Sequence, residues 1–453
     1  MTTPDAPTGN ASILDGNSFK ADDAAALSPR ARDLVQRRTN RLGPAYRLFY
    51  REPVELVRGS GAHAWDADGN EYLDLYNNVP SLGHAHPAVV AAVTAQMSTL
   101  NTHTRYLHEA ILDYVDDLTA TLPAPDYQAM LVCTGSEAND LALRVGRAAT
   151  GGAAWIATSE AYHGNTALVS AHSPSLAGAE TMDPALRVID PPDTYRAAGA
   201  DAAGAAFLDS VRRAIAKIEA SGDGFAGLIA DTSFSSDGVF TGEAGMITAA
   251  IDLVHAHGGV FVADEVQPGF ARTGEAFWGF ARHGLTPDII TTGKPMGNGF
   301  PVAAMIARRD VLAPFAASRP YFNTFGGNHV AVAAAQAVLD TIRTEGLQQH
   351  ALETGLAFRA ALRELADRHE AIGDVRGAGL YTGVELVSDR GSKQRDASTA
   401  LAVLEGLRRR GVLTSVCGPG NNVLKLRPPL AFAASDIPRA IDALDGALTD
   451  ATH

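Results

Sequence analysis

A chain of 453 residues, 46% of them hydrophobic, is long enough for two or three domains and a large buried core. Its 37 basic and 51 acidic residues leave a net charge of −14 with no basic block, which argues against nucleic acid or an anionic membrane surface as a partner. The only cysteines, Cys133 and Cys417, exclude a disulfide framework and a cysteine-rich zinc site.

Residues 1–28 are small and polar and are expected to be flexible or loosely attached. They lack the cationic start and apolar run of a secretory signal, and no later segment is apolar over membrane-spanning length, so a soluble cytoplasmic protein is expected. The stretch "VELVRGSGAHAWDADGNEYLDLY" alternates apolar and polar residues around Asp68-Gly69-Asn70 and reads as an antiparallel hairpin. From about residue 88, helical periods such as "PAVVAAVTAQMSTL" alternate with the apolar runs "QAMLVC", "AAWIAT", "FAGLIAD", "GVFVAD" and "PDIITTG". That alternation predicts an α/β fold with a parallel sheet covered by helices. An Ala-rich helix, "HVAVAAAQAVLDTIRTEG", ends the pattern, and the strand-like runs "GAGLYTGVELV" and "NVLKLRPPLAF" suggest a smaller α+β unit. The expected division is a flexible segment at 1–28, one part of a small domain at 29–87, a large domain at 88–345 and the rest of the small domain at 346–453. Gly59-Ser60-Gly61 and Gly377-Ala378-Gly379 open no helix after a strand, so both read as turns rather than dinucleotide fingerprints.

In an open parallel sheet, ligands gather at the carboxyl ends of the strands, and several loops there carry chemistry. "LVCTGSEAND" offers the N–H groups and hydroxyls of Thr134, Gly135 and Ser136 at a helix N-terminus, which suits an anion. A plain helix cap at Ser136, with Asn139 three residues on, accounts for the same residues. Tyr162 and His163 follow "AAWIAT"; an aromatic there stacks on a flat ligand or merely lines a rim. "GGVFVADEVQPGF" ends a core strand on Asp264 and Glu265, on opposite pleats, without a cation beside them. Lys294 follows "DIITTG" and is the only charge between Asp288 and Arg308. A lysine at that depth pairs with an acid or loses its proton, and a desolvated lysine is the usual amine for a Schiff base; a snorkelling surface lysine is the alternative. Thr324, before a Gly-Gly pair and a helix start, offers a second phosphate contact.

Taken together, "TGSEAND", "YHG", "DEVQPGFARTG", "TTGKPMGNG", "NTFGGN" and "RPPL" resemble the class III aminotransferase family of pyridoxal-phosphate enzymes, over about residues 30 to 445. The resemblance implies fold type I, with a mostly parallel seven-stranded-type sheet in the large domain and a smaller α+β domain from the two terminal segments. It implies Lys294 as the Schiff-base lysine and proton shuttle, Asp264 as partner of the pyridine nitrogen, and Gln267 at the ring hydroxyl. Tyr162 would stack on the ring, and Gly135 and Ser136 would bind the cofactor phosphate. Thr324 would reach that phosphate from a neighbouring subunit, so a homodimer with shared sites is expected. Glu265 and Arg272 are expected to be structural, and no metal is implied.

Two departures bear on the reaction. Members that take α-amino acids or 2-oxoglutarate have an arginine where this chain has Lys425, and their "EPIQGE" stretch corresponds to "DTSFSS", which places Ser236 at its final glutamate. The branch that looks most similar is the phospho-lyases acting on phosphoethanolamine or phosphohydroxylysine, through "NTHTRYLHE", "PPDTYR", "YFNTFGGN" and "NVLKLRPPLAF". A small phosphorylated amine is therefore the expected substrate, with Lys425, Arg427 and Arg105 as candidates for its phosphate. Proton removal by Lys294 is common to two outcomes: loss of phosphate from the neighbouring carbon gives a lyase, and return of the proton elsewhere gives an ω-aminotransferase. A nucleotide-binding module is a remote alternative that lacks a G-x-x-x-x-G-K-[ST] loop and leaves Lys294 idle.

Overall fold

The computed structural model describes residues 15–176 and 181–452. A seven-stranded sheet runs in the spatial order Tyr127–Val132, Ala303–Arg308, Ile289–Thr292, Val260–Asp264, Phe225–Ala230, Ala154–Thr158 and Arg187–Ile189. Ala303–Arg308 is antiparallel to both its neighbours, and the remaining pairs are parallel. The mostly parallel sheet agrees with the sequence pattern, but its strands at 303–308 and 187–189 were not anticipated. "AAMIAR" has a single β-branched residue and "RVI" is too short to show a period, so propensity carried no signal.

Alternate residues of the central strands enter two cores. Val262, Ile289 and Met305 pack on the face shared with the helix Gly135–Thr150, while Phe261, Ile290 and Ile306 join the larger core opposite. Burial on both faces explains the continuously apolar runs. Thr134 caps that helix by accepting the Glu137 N–H at 3.1 Å, and Glu137 accepts the Thr134 N–H at 2.9 Å. The cap is therefore not at Ser136, which, like Asn139, stands inside the helix and is available for other contacts.

The hairpin expected at 54–76 is a three-stranded meander, Leu56–Ser60, His63–Asp66 and Glu71–Asp74, extended by a parallel strand, Val412–Leu413. Asp66 Oδ1 accepts the N–H groups of Asp68 and Asn70, which forms the anticipated turn. A second sheet orders Ile372–Ala378, Tyr381–Asp389, Val423–Leu426 and Ser415–Cys417, with Gln394–Arg395 beside Tyr381–Asp389. The parallel pairing of Val412–Leu413 with Glu71–Asp74 joins the two terminal segments in one sheet.

Of the segment expected to be loose, residues 1–14 lie outside the described residues, but Asp15–Ser28 are attached. Ser18 bridges to Phe49, the Phe19 N–H donates to Leu48 O at 2.8 Å, and the Tyr50 N–H donates to Asn17 O at 3.0 Å. Backbone pairing orders a stretch whose side chains are too small and polar to announce burial. Among the described residues no helix is long and apolar enough to cross a membrane.

Candidate active site

The strand Val260–Asp264 delivers Asp264, buried, to the carboxyl edge of the sheet. Its Oδ2 lies 2.6 Å from His163 Nδ1 and accepts Asn139 Nδ2 at 3.0 Å, while Oδ1 accepts the Val266 N–H at 3.1 Å. Asn139 is itself fixed, because its Oδ1 accepts the Thr291 hydroxyl at 2.6 Å and its Nδ2 also donates to His163 O at 2.7 Å. The carboxylate therefore has a set orientation. Neither Asn139 nor His163 was assigned a role from sequence; the signal was their place inside "TGSEAND" and "YHG", beside residues that were. Glu265, on the opposite pleat, accepts the N–H groups of Gly279 at 2.7 Å and Phe280 at 2.8 Å. Burial pushes its carboxyl up to about 8, and its partners make it structural.

Lys294 opens a short 3₁₀ turn, Lys294–Gly297, directly after the strand Ile289–Thr292. It forms no hydrogen bond or ion pair among the described residues. Burial, reinforced by the Arg427 charge, brings its pKa down to about 8, against the pull of Asp264 and Asp231. An uncommitted amine near neutrality is what a Schiff-base lysine and proton carrier needs. Asp231, which follows the strand Phe225–Ala230, lines the same cavity and was not singled out from sequence. Burial raises its pKa to about 6, and the N–H groups of Ser233 and Ser235 hold it.

Asp264, Asp231 and Lys294 line a cavity of about 300 Å³ together with Gly135, Ser136, Tyr162, His163 and Gln267. Gly135 has no room for a side chain, since a Cβ there would stand 2.9 Å from Val266 Cγ2. The helix N-terminus consequently opens onto the cavity through bare backbone, the arrangement that receives a phosphate. Ser136 Oγ accepts the Asn165 N–H at 3.2 Å. Thr324 does not line this cavity; it is exposed, in a loop tied to the helix cap through Asn323 Nδ2 and Glu137 Oε1 at 3.3 Å.

A second cavity of about 220 Å³ adjoins the first, sharing Tyr162, Gln267 and Lys294 and adding Asn17, Phe49, Tyr76, Ser236, Ser415, Val416, Lys425 and Arg427. Lys425 and Arg427 are each 5% exposed. Arg427 lies over the Tyr76 ring at 4.5 Å, and its Nη1 donates to Asn78 Oδ1 at 3.0 Å and to Gln267 Oε1, which also accepts the Tyr381 hydroxyl at 2.9 Å. Lys425 makes no side-chain hydrogen bond among the described residues, and burial next to Arg427 lowers its pKa to about 7. No carboxylate lines this cavity. The third phosphate candidate is not brought here: Arg105 is exposed and stacks over Phe322 at 5.3 Å, outside both cavities. Arg272 is buried and donates to Leu380 O and Pro428 O, a structural role as expected.

The family Aminotransferase class-III matches residues 50–448. The chain belongs to this family. This class III enzyme is 40% identical over 412 residues to a Drosophila melanogaster alanine–glyoxylate aminotransferase 2-like protein, covering 88% of this chain and 83% of the relative. It is 35% identical over 447 residues to ethanolamine-phosphate phospho-lyase homolog 1 of Caenorhabditis elegans, covering 94% and 95%. Its fold matches that of a phospholyase from Arthrobacter in complex with phosphoethanolamine, with a TM-score of 0.89 and 38% identity over 92% of this chain and 99% of the other. The cofactor is pyridoxal phosphate, and the cavity fits it: an unpartnered lysine, an oriented carboxylate and a bare helix N-terminus surround one space.

Proposed function

We propose that this class III enzyme is a phospho-lyase that converts O-phosphoethanolamine, or a close phosphorylated amino alcohol, into phosphate, ammonia and an aldehyde. One observation carries the reading: the cavity beside Lys294 holds two further buried cations and no carboxylate. An anionic group suits that space, since neither Lys425 nor Arg427 is ion-paired among the described residues, and Asp231, the carboxylate whose charge reaches Lys425, lines the other cavity. Ser236 lines the wall where a glutamate of the glutamate-using relatives would stand, so no built-in acid competes for Lys425 and Arg427.

When bound, the cofactor supplies an electron sink for the pair left as the amine-bearing carbon loses its proton. Gly135 and Ser136 would hold its phosphate, Asp264 its ring nitrogen, Gln267 its ring hydroxyl, and Tyr162 its ring face. Lys294, with a pKa near 8, takes the proton from the amine-bearing carbon. Lys425 and Arg427 hold the substrate phosphate and stabilise the charge gained as the carbon–oxygen bond breaks toward phosphate. The released enamine becomes an imine, which water hydrolyses to aldehyde and ammonia. A homodimer is part of the proposal. The exposed loop around Thr324, with Phe322, Phe325 and the 99% exposed Leu107, offers an apolar surface to a second copy, through which Thr324 would reach the neighbouring cofactor phosphate. A second reading, amino-group transfer from an amine to an oxo acid, is favoured by the likeness to the aminotransferase 2-like relative.

Substrate comparison tests the proposal. Phosphoethanolamine should be consumed at least a hundredfold more efficiently than ethanolamine, because two charge-assisted contacts are lost with the phosphate. Equal efficiencies would defeat it.

A further inference from the structure

The wall of the cation-lined cavity that faces the N-terminal segment is formed by Asn17, a residue outside the sequence motifs. It is 8% exposed, and its Nδ2 is buried without a hydrogen-bond partner among the described residues. A buried amide donor left unpaired costs stability unless a ligand completes it. It shares the cavity with Lys425, which has no side-chain hydrogen-bond partner among the described residues, and with Arg427, whose Nε is likewise buried and unpartnered among them. Three residues that carry donor groups thus line one space of about 220 Å³, from a strand of the second sheet, the segment after it, and the N-terminal segment.

The placement of Asn17 is built into the fold. Its carbonyl accepts the Tyr50 N–H at 3.0 Å, Ser18 bridges to Phe49, and the Arg47 guanidinium pairs with Asp15 at 2.7 Å. Tyr50 in turn donates its hydroxyl to Thr414 O at 2.7 Å, tying the segment to the strand region that carries Lys425. Gly16 packs so closely that a Cβ there would stand 2.7 Å from Asn421 Oδ1.

We propose that Asn17 is a specificity-determining residue whose Nδ2 donates to the substrate's phosphate, so that the segment Asp15–Lys20 forms the final wall of the anion niche. The inference rests on the phospho-lyase reading and adds to it the contact that separates a phosphate from a smaller anion: a neutral donor in the same cavity as the two cations. A phosphate monoester presents three terminal oxygens in a tetrahedral array, one toward each group, whereas a planar carboxylate presents only two.

The test uses the full-length holoenzyme carrying Asn17→Ala, Asn17→Asp or, as reference, Lys425→Met. KM for phosphoethanolamine and the inhibition constant of inorganic phosphate should each rise about tenfold in Asn17→Ala. In the near-isosteric Asn17→Asp, a carboxylate facing phosphate should raise both about a hundredfold or more, with pyridoxal-phosphate affinity unchanged and kcat within about threefold. A merely structural role would not separate Asp from Ala in this way. If Lys425→Met raises both constants while Asn17→Asp leaves them unchanged, the contact is refuted and the phospho-lyase reading stands. If the unaltered enzyme takes neither phosphoethanolamine nor phosphate, both fall.

Discussion

Lys425 gives the sharpest handle on substrate binding, because its burial makes its charge conditional. With a pKa lowered to about 7, it is roughly half-protonated at neutral pH in the free enzyme. Only the protonated form attracts phosphate, so binding must supply the cost of charging it. At pH 9 that cost is about 2.7 kcal/mol, or two pKa units, and at pH 7 it is a few tenths. Replacement by methionine preserves length and apolar contact while removing the charge. A charge-assisted hydrogen bond contributes about 1.5–3 kcal/mol, so Lys425→Met should raise KM for phosphoethanolamine about 10- to 150-fold at pH 7. Between pH 7 and 9 the KM of the unaltered enzyme should climb by about fiftyfold, while that of the variant stays nearly flat across the same window. Initial rates against substrate concentration at several pH values measure both. An unchanged KM in the variant, or parallel pH profiles, would remove Lys425 from the substrate site.

Two further substitutions probe the scaffold beneath. Asp264→Asn removes the charge meant for the cofactor's ring nitrogen and should lower kcat at least about a hundredfold, whereas His163→Ala, which only loosens the orientation of Asp264, should cost about 10- to 100-fold; equal losses would contradict the division of roles. Glu385 is buried against Arg376 at 2.8 Å and Arg196 at 2.5 Å. Burial opposes its charge, but Arg376 and Arg196 prevail and hold its carboxyl below the ordinary value. Its stabilising contribution is therefore full above the unfolded-state carboxylate pKa of about 4.5 and is lost as pH falls through the lower folded value. Glu385→Gln should lower the melting temperature at pH 7, by about 3–5 kcal/mol of stability, with a smaller difference near pH 3; a constant difference across that range would show that charge is not the cause.

The sheet and its ligand edge were legible because buried parallel strands are written as continuous apolar runs, and because Asp264 and Lys294 interrupt such runs with charge. Gly135, Ser136, Tyr162 and Gln267 were legible only as parts of motifs, and the structure brings all of them to one cavity with Asp264 and Lys294. What escaped was three-dimensional. Asn139 and His163 reach Asp264 from other elements, Asp231 joins the site from a neighbouring strand end, and Asn17 is ordered by backbone pairing that no side-chain pattern records. The strand Ala303–Arg308 was hidden by alanines, which carry little β signal yet pack well inside a sheet covered on both faces. Arg105, whose motif suggested the substrate site, lies outside both cavities of its own chain, over Phe322.

The central claim, elimination of phosphate rather than transfer of the amino group, is tested most directly by one progress curve. The pure holoenzyme is given phosphoethanolamine with no oxo acid, and phosphate, ammonia and acetaldehyde are counted per active site. Elimination should give many equivalents of all three in equal amounts, at a rate that pyruvate does not change. Turnover that halts after one equivalent and resumes only when pyruvate is added would contradict it and establish an aminotransferase.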